Sequence, residues 1–260
     1  MRIATWNVNG LRAALRKGLP DHLEALRLDA LMMQEVRSLP EQLPAPWRQP
    51  VGWEVVWHPA EKRGYAGTAT WARQELVEVG RGLGGEEDPE GRVLVCEVGG
   101  VRLINVYLPS GSASEERQAR KEAWMARFLP WAAAQLSLPL PVLLAGDLNI
   151  AHTPLDIHNA TGNKRNSGFL PHEREWFSAL LSTGWRDLLR EQEGPVQGPY
   201  SWWSNRGRAR ELNRGWRIDY LLGNDQLAAQ VQRVWVHREG GLAVSDHAPV
   251  VVDLGEGAGG

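Results

Sequence analysis

Cysteine is almost missing from this chain of 260 residues; Cys96 stands alone. An intramolecular disulfide is therefore excluded, and the lone thiol suits a reducing cytoplasm. Long apolar runs are missing too. None approaches the roughly 18 residues of a membrane span, and Arg2 leads straight into a strand-like run instead of a signal-peptide core. Neither sign of charge dominates, since 29 Lys and Arg stand against 31 Asp and Glu. Any anionic partner must then be met by a local patch and not by the chain as a whole. Phenylalanine is scarce at three residues while tryptophan reaches thirteen, so tryptophan is expected to serve as the ordinary core aromatic. No low-complexity linker breaks the pattern. One domain is expected over residues 1–254, with 255–260 a frayed tail.

Strand signals run from end to end, at residues 3–7, 30–35, 53–58, 67–73, 92–98, 101–107, 142–147, 217–222, 231–237 and 248–254. Several alternate with period two, as in Val101-Arg102-Leu103-Ile104-Asn105-Val106-Tyr107. Helix patterns fall between them at 12–28, 114–136, 172–182 and 225–230, and Ser114 with the acids behind it makes a helix start. The Gly-rich stretch at 80–91 has the composition of a surface loop. Strand pairs joined by tight turns alternate with helices, which predicts an α/β (α+β) fold of mixed sheets. Two such sheets packed face to face, with helices outside, would bury all these runs. Residues 103–109 and 217–222 share a pattern, a faint sign of duplication.

The strand-like runs end on acids and amides. Ile3-Ala4-Thr5-Trp6 delivers Asn7 and Asn9; Ala30-Leu31-Met32-Met33 delivers Gln34-Glu35; Val142-Leu143-Leu144-Ala145 delivers Gly146-Asp147-Leu148-Asn149. Arg217-Ile218 carries Asp219, and Ser245-Asp246-His247 precedes the last run. Burying an unpaired charge inside a strand costs several kcal/mol, so repeated placement at strand ends predicts one shared mouth. Acids, amides and one histidine converging there suit metal-assisted attack on a phosphodiester.

Taken in order, Trp6-Asn7-Val8-Asn9-Gly10-Leu11-Arg12-Ala13, Gln34-Glu35, Val106-Tyr107-Leu108-Pro109, Gly146-Asp147-Leu148-Asn149, Trp216-Arg217-Ile218-Asp219-Tyr220 and Ser245-Asp246-His247-Ala248-Pro249 closely resemble the exonuclease III family of apurinic/apyrimidinic endonucleases. That family sits within the endonuclease/exonuclease/phosphatase superfamily. The resemblance implies a four-layered α/β sandwich. It also implies a Mg2+- or Mn2+-dependent DNA-repair phosphodiesterase that cleaves 5′ to abasic sites and trims 3′ ends as a 3′-5′ exonuclease and 3′-phosphatase, leaving 3′-OH. The DNA-repair branch is implied by Asp156-Ile157-His158-Asn159, by Gly162-Asn163-Lys164-Arg165-Asn166-Ser167-Gly168-Phe169, by Glu173-Arg174 and by Trp202-Trp203-Ser204.

By resemblance Glu35 is the main metal ligand, with Asn7, Asn9 and Asp246 nearby and Asp147, Asn149 and His247 around them. Oxygen ligands of this kind favour Mg2+ or Mn2+ over zinc. The same resemblance makes Asp147 the group that orients or deprotonates the attacking water and Asn149 a neutral donor beside it. His247 contacts the phosphate, held by Asp219, and Tyr107 donates its phenol. Arg12, Asn163, Asn166, Trp202, Arg206 and Trp216 are the expected DNA contacts. Arg206, Arg208, Arg210, Arg214 and Arg217, bracketed by Trp203 and Trp216, suit phosphate tracking beside aromatic platforms. Trp202, Trp216 and Ile218 are expected to wall a small pocket for a base-free sugar. The expected partner is duplex DNA carrying abasic sites or damaged 3′ ends, met by a monomer in the cytoplasm, beside the nucleoid and away from membranes. Alternatives are a related phosphoesterase, a nuclease acting on RNA, or a catalytically dead DNA-binding module.

Overall fold

The computed structural model describes residues 1–255, in which twelve strands divide equally between two sheets. In the first, β11 (Val231–Val236), β12 (Val250–Leu254), β1 (Arg2–Asn7), β2 (Ala30–Gln34), β4 (Thr68–Ala72) and β3 (Glu54–His58) lie side by side in that order. In the second the order is β5 (Val77–Arg81), β6 (Val93–Val98), β7 (Val101–Tyr107), β8 (Val142–Asp147), β10 (Asp219–Gly223) and β9 (Arg186–Asp187). β1 runs parallel to β2, and β7 parallel to β8; every other neighbouring pair is antiparallel. The two sheets therefore repeat one topology, with β1, β2 and β4 matched by β7, β8 and β10. This corrects the sequence-level hint of duplication: residues 103–109 lie on the counterpart of β1, while 217–222 lie on the counterpart of β4.

Period-two side-chain direction builds four layers from these strands. Ile3, Met32, Leu103, Leu143, Leu221 and Val252 face the space between the sheets. Their alternates Ala4, Trp6, Leu31 and Met33 meet α1 (Leu11–Arg16) and α2 (Leu19–Leu26) on one outer face. On the other, Ile104, Val106, Leu144 and Leu222 meet α3 (Glu115–Gln135) and α5 (Pro171–Ser182) through Phe128 and Phe177. Strands covered on both faces explain why so many runs are continuously apolar. The predicted four-layered sandwich of two mixed sheets flanked by helices is the fold. Trp6, Trp71 and Trp203 are among its largest fully buried side chains, as the tryptophan excess implied.

Some expectations need revision. The single helix expected at 12–28 is broken at Gly18 (φ +94°), because Pro20 in the first turn of α2 lacks the N–H that an unbroken helix requires. Helix α3 opens as expected, with Ser114 Oγ accepting from Arg117 N at 3.2 Å. Short elements escaped prediction: β5, which takes the first residues of the expected 80–91 loop, β9, α4 (Ala160–Asn163), α6 (Leu188–Glu193) and α8 (Arg238–Val244). A short α7 (Asp225–Ala228) occupies the helix expected at 225–230. Of the expected tail, Gly255 is tied to Gln230 O at 2.8 Å, and 256–260 lie outside the described residues.

Candidate active site

Strand register sets the first row of the site. Tyr107 is the partner of Asp147 across the parallel β7–β8 pair, and Asp147 is the partner of Asp219 across β8–β10. Gly146 makes this close approach possible: its φ is +149°, and a Cβ there would stand 1.8 Å from Val106 O. The end of β1 contributes Asn7, the residue after β2 is Glu35, and the segment before β12 carries Asp246 and His247. All of them except the fully buried Asp219 line one cavity of about 880 Å³, together with Asn9, Asn149, Trp202 and Trp216. A smaller hollow of about 300 Å³, between the 82–90 segment and α3, contains none of these residues.

His247 and Asp219 form a buried pair. The imidazole Nδ1 lies 2.9 Å from Asp219 Oδ2, and the same carboxylate accepts Ser201 Oγ at 2.6 Å. The other ring nitrogen lies 3.9 Å from Asp147 Oδ2. Burial opposes a charged ring, but the negative charges of Asp219, Asp147 and Asp246 outweigh it and push the His247 pKa up to about 10. Asp147 is also almost fully buried; its Oδ2 accepts Asn7 Nδ2 and its Oδ1 accepts Asn149 N, each at 2.9 Å. Burial and the charge of Asp219 raise its pKa to about 7, against the lowering effect of His247 and these hydrogen bonds. Asp147, Asp219 and His247 each bring one potential ligand atom within 4.8 Å of the others. With Nδ1 held by Asp219, His247 Nε2 and the Asp147 carboxylate are left to move protons or to meet a metal ion.

A second group of oxygen donors lies beside this set. The Tyr107 hydroxyl donates to Glu35 Oε1, and Glu35 Oε2 pairs with Arg37 Nη2 at 2.9 Å. Burial and the charges of Glu35 and Asp147 raise the Tyr107 pKa well above its ordinary value, so the phenol keeps its proton. Asp246 accepts Asn9 Nδ2 at 2.7 Å and Trp202 Nε1 at 3.1 Å. Burial disfavours its charge, yet the His247 charge and these bonds hold its pKa below the usual range. Trp202 and Trp216 stand at 88°, 5.9 Å apart, and with Ile218 they form an apolar wall. Arg165, Asn166, Ser167, Gly168 and Leu170 line the cavity as well.

Residues 4–247 match the Endonuclease/Exonuclease/phosphatase family. The chain is 38% identical to an exodeoxyribonuclease of Bacillus subtilis, covering 96% of this chain and 98% of that one. It is 34% identical to the DNA repair nuclease APEX1 of Danio rerio, over 98% and 82% of the two chains. The structure superposes on the 3′ phosphatase NExo from Neisseria, solved with product DNA hairpin, at a TM-score of 0.89 and 33% identity, covering 98% and 99%. The chain belongs to the endonuclease/exonuclease/phosphatase family. Within that family it is an exonuclease III-like nuclease.

Most of the family-implied residues meet in the cavity, and some do not. Arg12 and Asn163 are not among its lining residues; Asn163 instead accepts Asn166 Nδ2 and donates to Asn159 O, bracing the loop. One member of the expected basic stripe is lost to the core. Arg217 is fully buried between Asp156 and Asp187, at 2.7 and 2.8 Å, and Trp203 is buried in a separate cluster with Tyr200, Ala209 and Ala248. Arg208 pairs with Glu211, and Arg210 is tied to Leu242 O and Asn205, leaving Arg206 as the member that reaches the cavity. A charge run in sequence carries no information on which arginines have folded partners.

Other members of the site escaped the sequence reading. Ser201 holds Asp219, and Arg37 reaches Glu35; Arg165, by contrast, belongs to the 162–169 block read from the sequence, and it lines the cavity. Behind the site Lys121 and Glu173, both fully buried, pair at 2.5 Å. Lys121 also donates to Asn149 O at 3.0 Å, and Glu173 accepts Gly168 N at 2.6 Å, so the pair links the turn after β8 to the 165–170 wall. Arg37 stands two residues from the Gln34-Glu35 block, and Glu173 opens the Glu173-Arg174 segment of the resemblance; Ser201 and Lys121 are tertiary neighbours with no local signal.

Proposed function

We propose that this nuclease cuts duplex DNA on the 5′ side of abasic sites and trims damaged 3′ ends, leaving 3′-OH, with Mg2+ or Mn2+ as its cofactor. The observation that carries this reading is the sharing of one cavity by two unlike groups: Asp147 and His247, backed by the buried Asp219, and the oxygen donors around Glu35. The donors fit a hard divalent ion, being carboxylate and amide oxygens, and Glu35 already attracts a cation in the form of Arg37. Glu35 would hold the ion, with Asn7, Asn9 and Asp246 as its neighbours. A bound divalent ion supplies charge neutralisation at the phosphate.

The chain's own groups then do the rest. Asp147, poised by burial, takes the proton of the attacking water. His247, kept protonated and fixed in orientation by Asp219, donates to a phosphate oxygen through Nε2. Tyr107 is a neutral phenol and donates to the phosphate or the leaving oxygen. Asn149 gives one amide hydrogen to Leu108 O at 2.8 Å and has the second for the phosphate. Preorganised donors of this kind are typically worth about 3 kcal/mol of barrier each. A base-free deoxyribose fits between Trp202, Trp216 and Ile218, where a base would have to unstack first.

One chain holds every group this scheme needs, which supports a monomer, and a DNA substrate supports a cytoplasmic enzyme working beside the nucleoid. No described helix is long and apolar enough to cross a membrane. Incubating the protein and Mg2+ with three duplexes tests the reading: one with an abasic analogue, one with a 3′-phosphate, one with an undamaged recessed end. Cleavage 5′ to the analogue and release of the phosphate are expected; activity confined to RNA or to a non-nucleic phosphoester would overturn it.

A further inference from the structure

Arg37 stands where a metal-loaded Glu35 leaves no room for a second cation. Its Nη2 is 2.9 Å from Glu35 Oε2, while Tyr107 occupies Oε1, so both carboxylate oxygens are engaged. An arginine cannot shed its charge to make way for an ion. It can move, because its side chain is 42% exposed against 15% for Glu35.

The backbone beneath is built to hold both groups in the cavity. Glu35 and Arg37 have φ of +52° and +53°, a left-handed conformation that neither residue type favours. Four hydrogen bonds pin the segment: Gly10 N to Glu35 O, Leu11 N to Val36 O, Val36 N to Gly67 O and Arg37 N to Ala66 O, at 2.8 to 3.1 Å. The main chain is thereby fixed while the guanidinium remains free to swing. A planar fork lining the cavity is matched to the next anion available there, a substrate phosphate.

We propose that Arg37 is an electrostatic relay between the metal and DNA. It neutralises Glu35 in the metal-free protein. When a divalent ion takes Glu35, Arg37 is released onto a DNA phosphate, so each ligand strengthens the binding of the other. Linkage makes the coupling equal in both directions. This inference rests on Glu35 being the metal ligand.

The test compares Arg37→Ala, Arg37→Gln and Glu35→Gln with the parent protein. Calorimetric titration with Mg2+, in the absence of DNA, should show Arg37→Ala and Arg37→Gln binding about fivefold or more tightly, since a competing cation is gone. Fluorescence anisotropy with an abasic duplex, on an Asp147→Asn background that prevents turnover, supplies the second readout. In chelator the Arg37 variants should bind DNA as the parent does; with Mg2+ they should bind about fivefold or more weakly. Unchanged or weaker Mg2+ binding by both variants overturns the relay, as does a DNA affinity loss of equal size with and without Mg2+. Glu35→Gln separates the two levels: it should lose Mg2+ binding. If it binds Mg2+ like the parent, the ligand assignment itself falls.

Discussion

His247 grips Asp219 through Nδ1 at 2.9 Å and turns Nε2 toward Asp147, 3.9 Å away. The acid on one side fixes the tautomer and the charge of the ring; the acid on the other is, in the proposed scheme, the one that takes the proton of the attacking water. Replacing Asp219 with Asn keeps the size and removes both effects. Asp219→Asn should lower single-turnover cleavage of an abasic duplex by about 10²–10⁴, the scale of a lost proton-handling group, while DNA affinity changes little. A loss of less than about tenfold would remove the pair from the mechanism.

Trp216 closes the apolar wall against Trp202 and against Gly168, where a Cβ would stand 3.1 Å from its ring. Trp216→Ala should open space for a flipped base and narrow the ratio of abasic to undamaged cleavage. Both rates and the melting temperature are needed. A stably folded variant with its preference intact contradicts the pocket.

The cavity's basic contacts should be visible in salt dependence. Arg165 and Arg206 line it, whereas Arg208 and Arg210 have partners of their own. Changing Arg165 and Arg206 together to Ala should flatten the log K against log salt slope by about 2. The same change at Arg208 and Arg210 should leave the slope as it was. The reverse outcome would restore the linear stripe suggested by sequence.

The sequence was informative where function lies at strand ends. Asn7, Glu35, Asp147 and Asp219 each follow or open an apolar run, and alternation placed their neighbours in the core. Those residues were legible because sheet register converts position along a strand into position at the mouth. Arg217 was misjudged for the opposite reason: its partners Asp156 and Asp187 lie 61 and 30 residues away. Nothing local distinguishes a buried guanidinium from a solvated one. The same holds for Lys121, which on sequence is an ordinary charge on a helix. The broken helix at Gly18 was readable from Pro20, but the apolar period continues across it and hid the break.

Asp156 gives the fold an acid-sensitive point. Burial pushes its carboxyl up, but the charge of Arg217 and hydrogen bonds from Arg217, Arg190 and Thr153 hold it well below the usual range. A depressed folded pKa contributes stability that is present above the unfolded value of about 4 and lost as pH falls through the folded one. Asp156→Asn should therefore cost about 3–5 kcal/mol at pH 7, with the buried Arg217 left short of a partner. Urea unfolding should show the gap between variant and parent shrinking below about pH 4. A gap that is constant from pH 7 to pH 3 would assign the loss to packing.

The most direct measurement is single-turnover cleavage of a duplex carrying one abasic analogue, by the parent protein and by Asp147→Asn, with Mg2+ and with chelator. The parent with Mg2+ should cut 5′ to the analogue and leave 3′-OH. Chelation should stop the cut while binding persists. Asp147→Asn should slow it by about two orders of magnitude or more, with the duplex still bound through its phosphate contacts. Cleavage undiminished in chelator, or an Asp147→Asn rate close to that of the parent, would contradict a metal-dependent nuclease centred on this cavity.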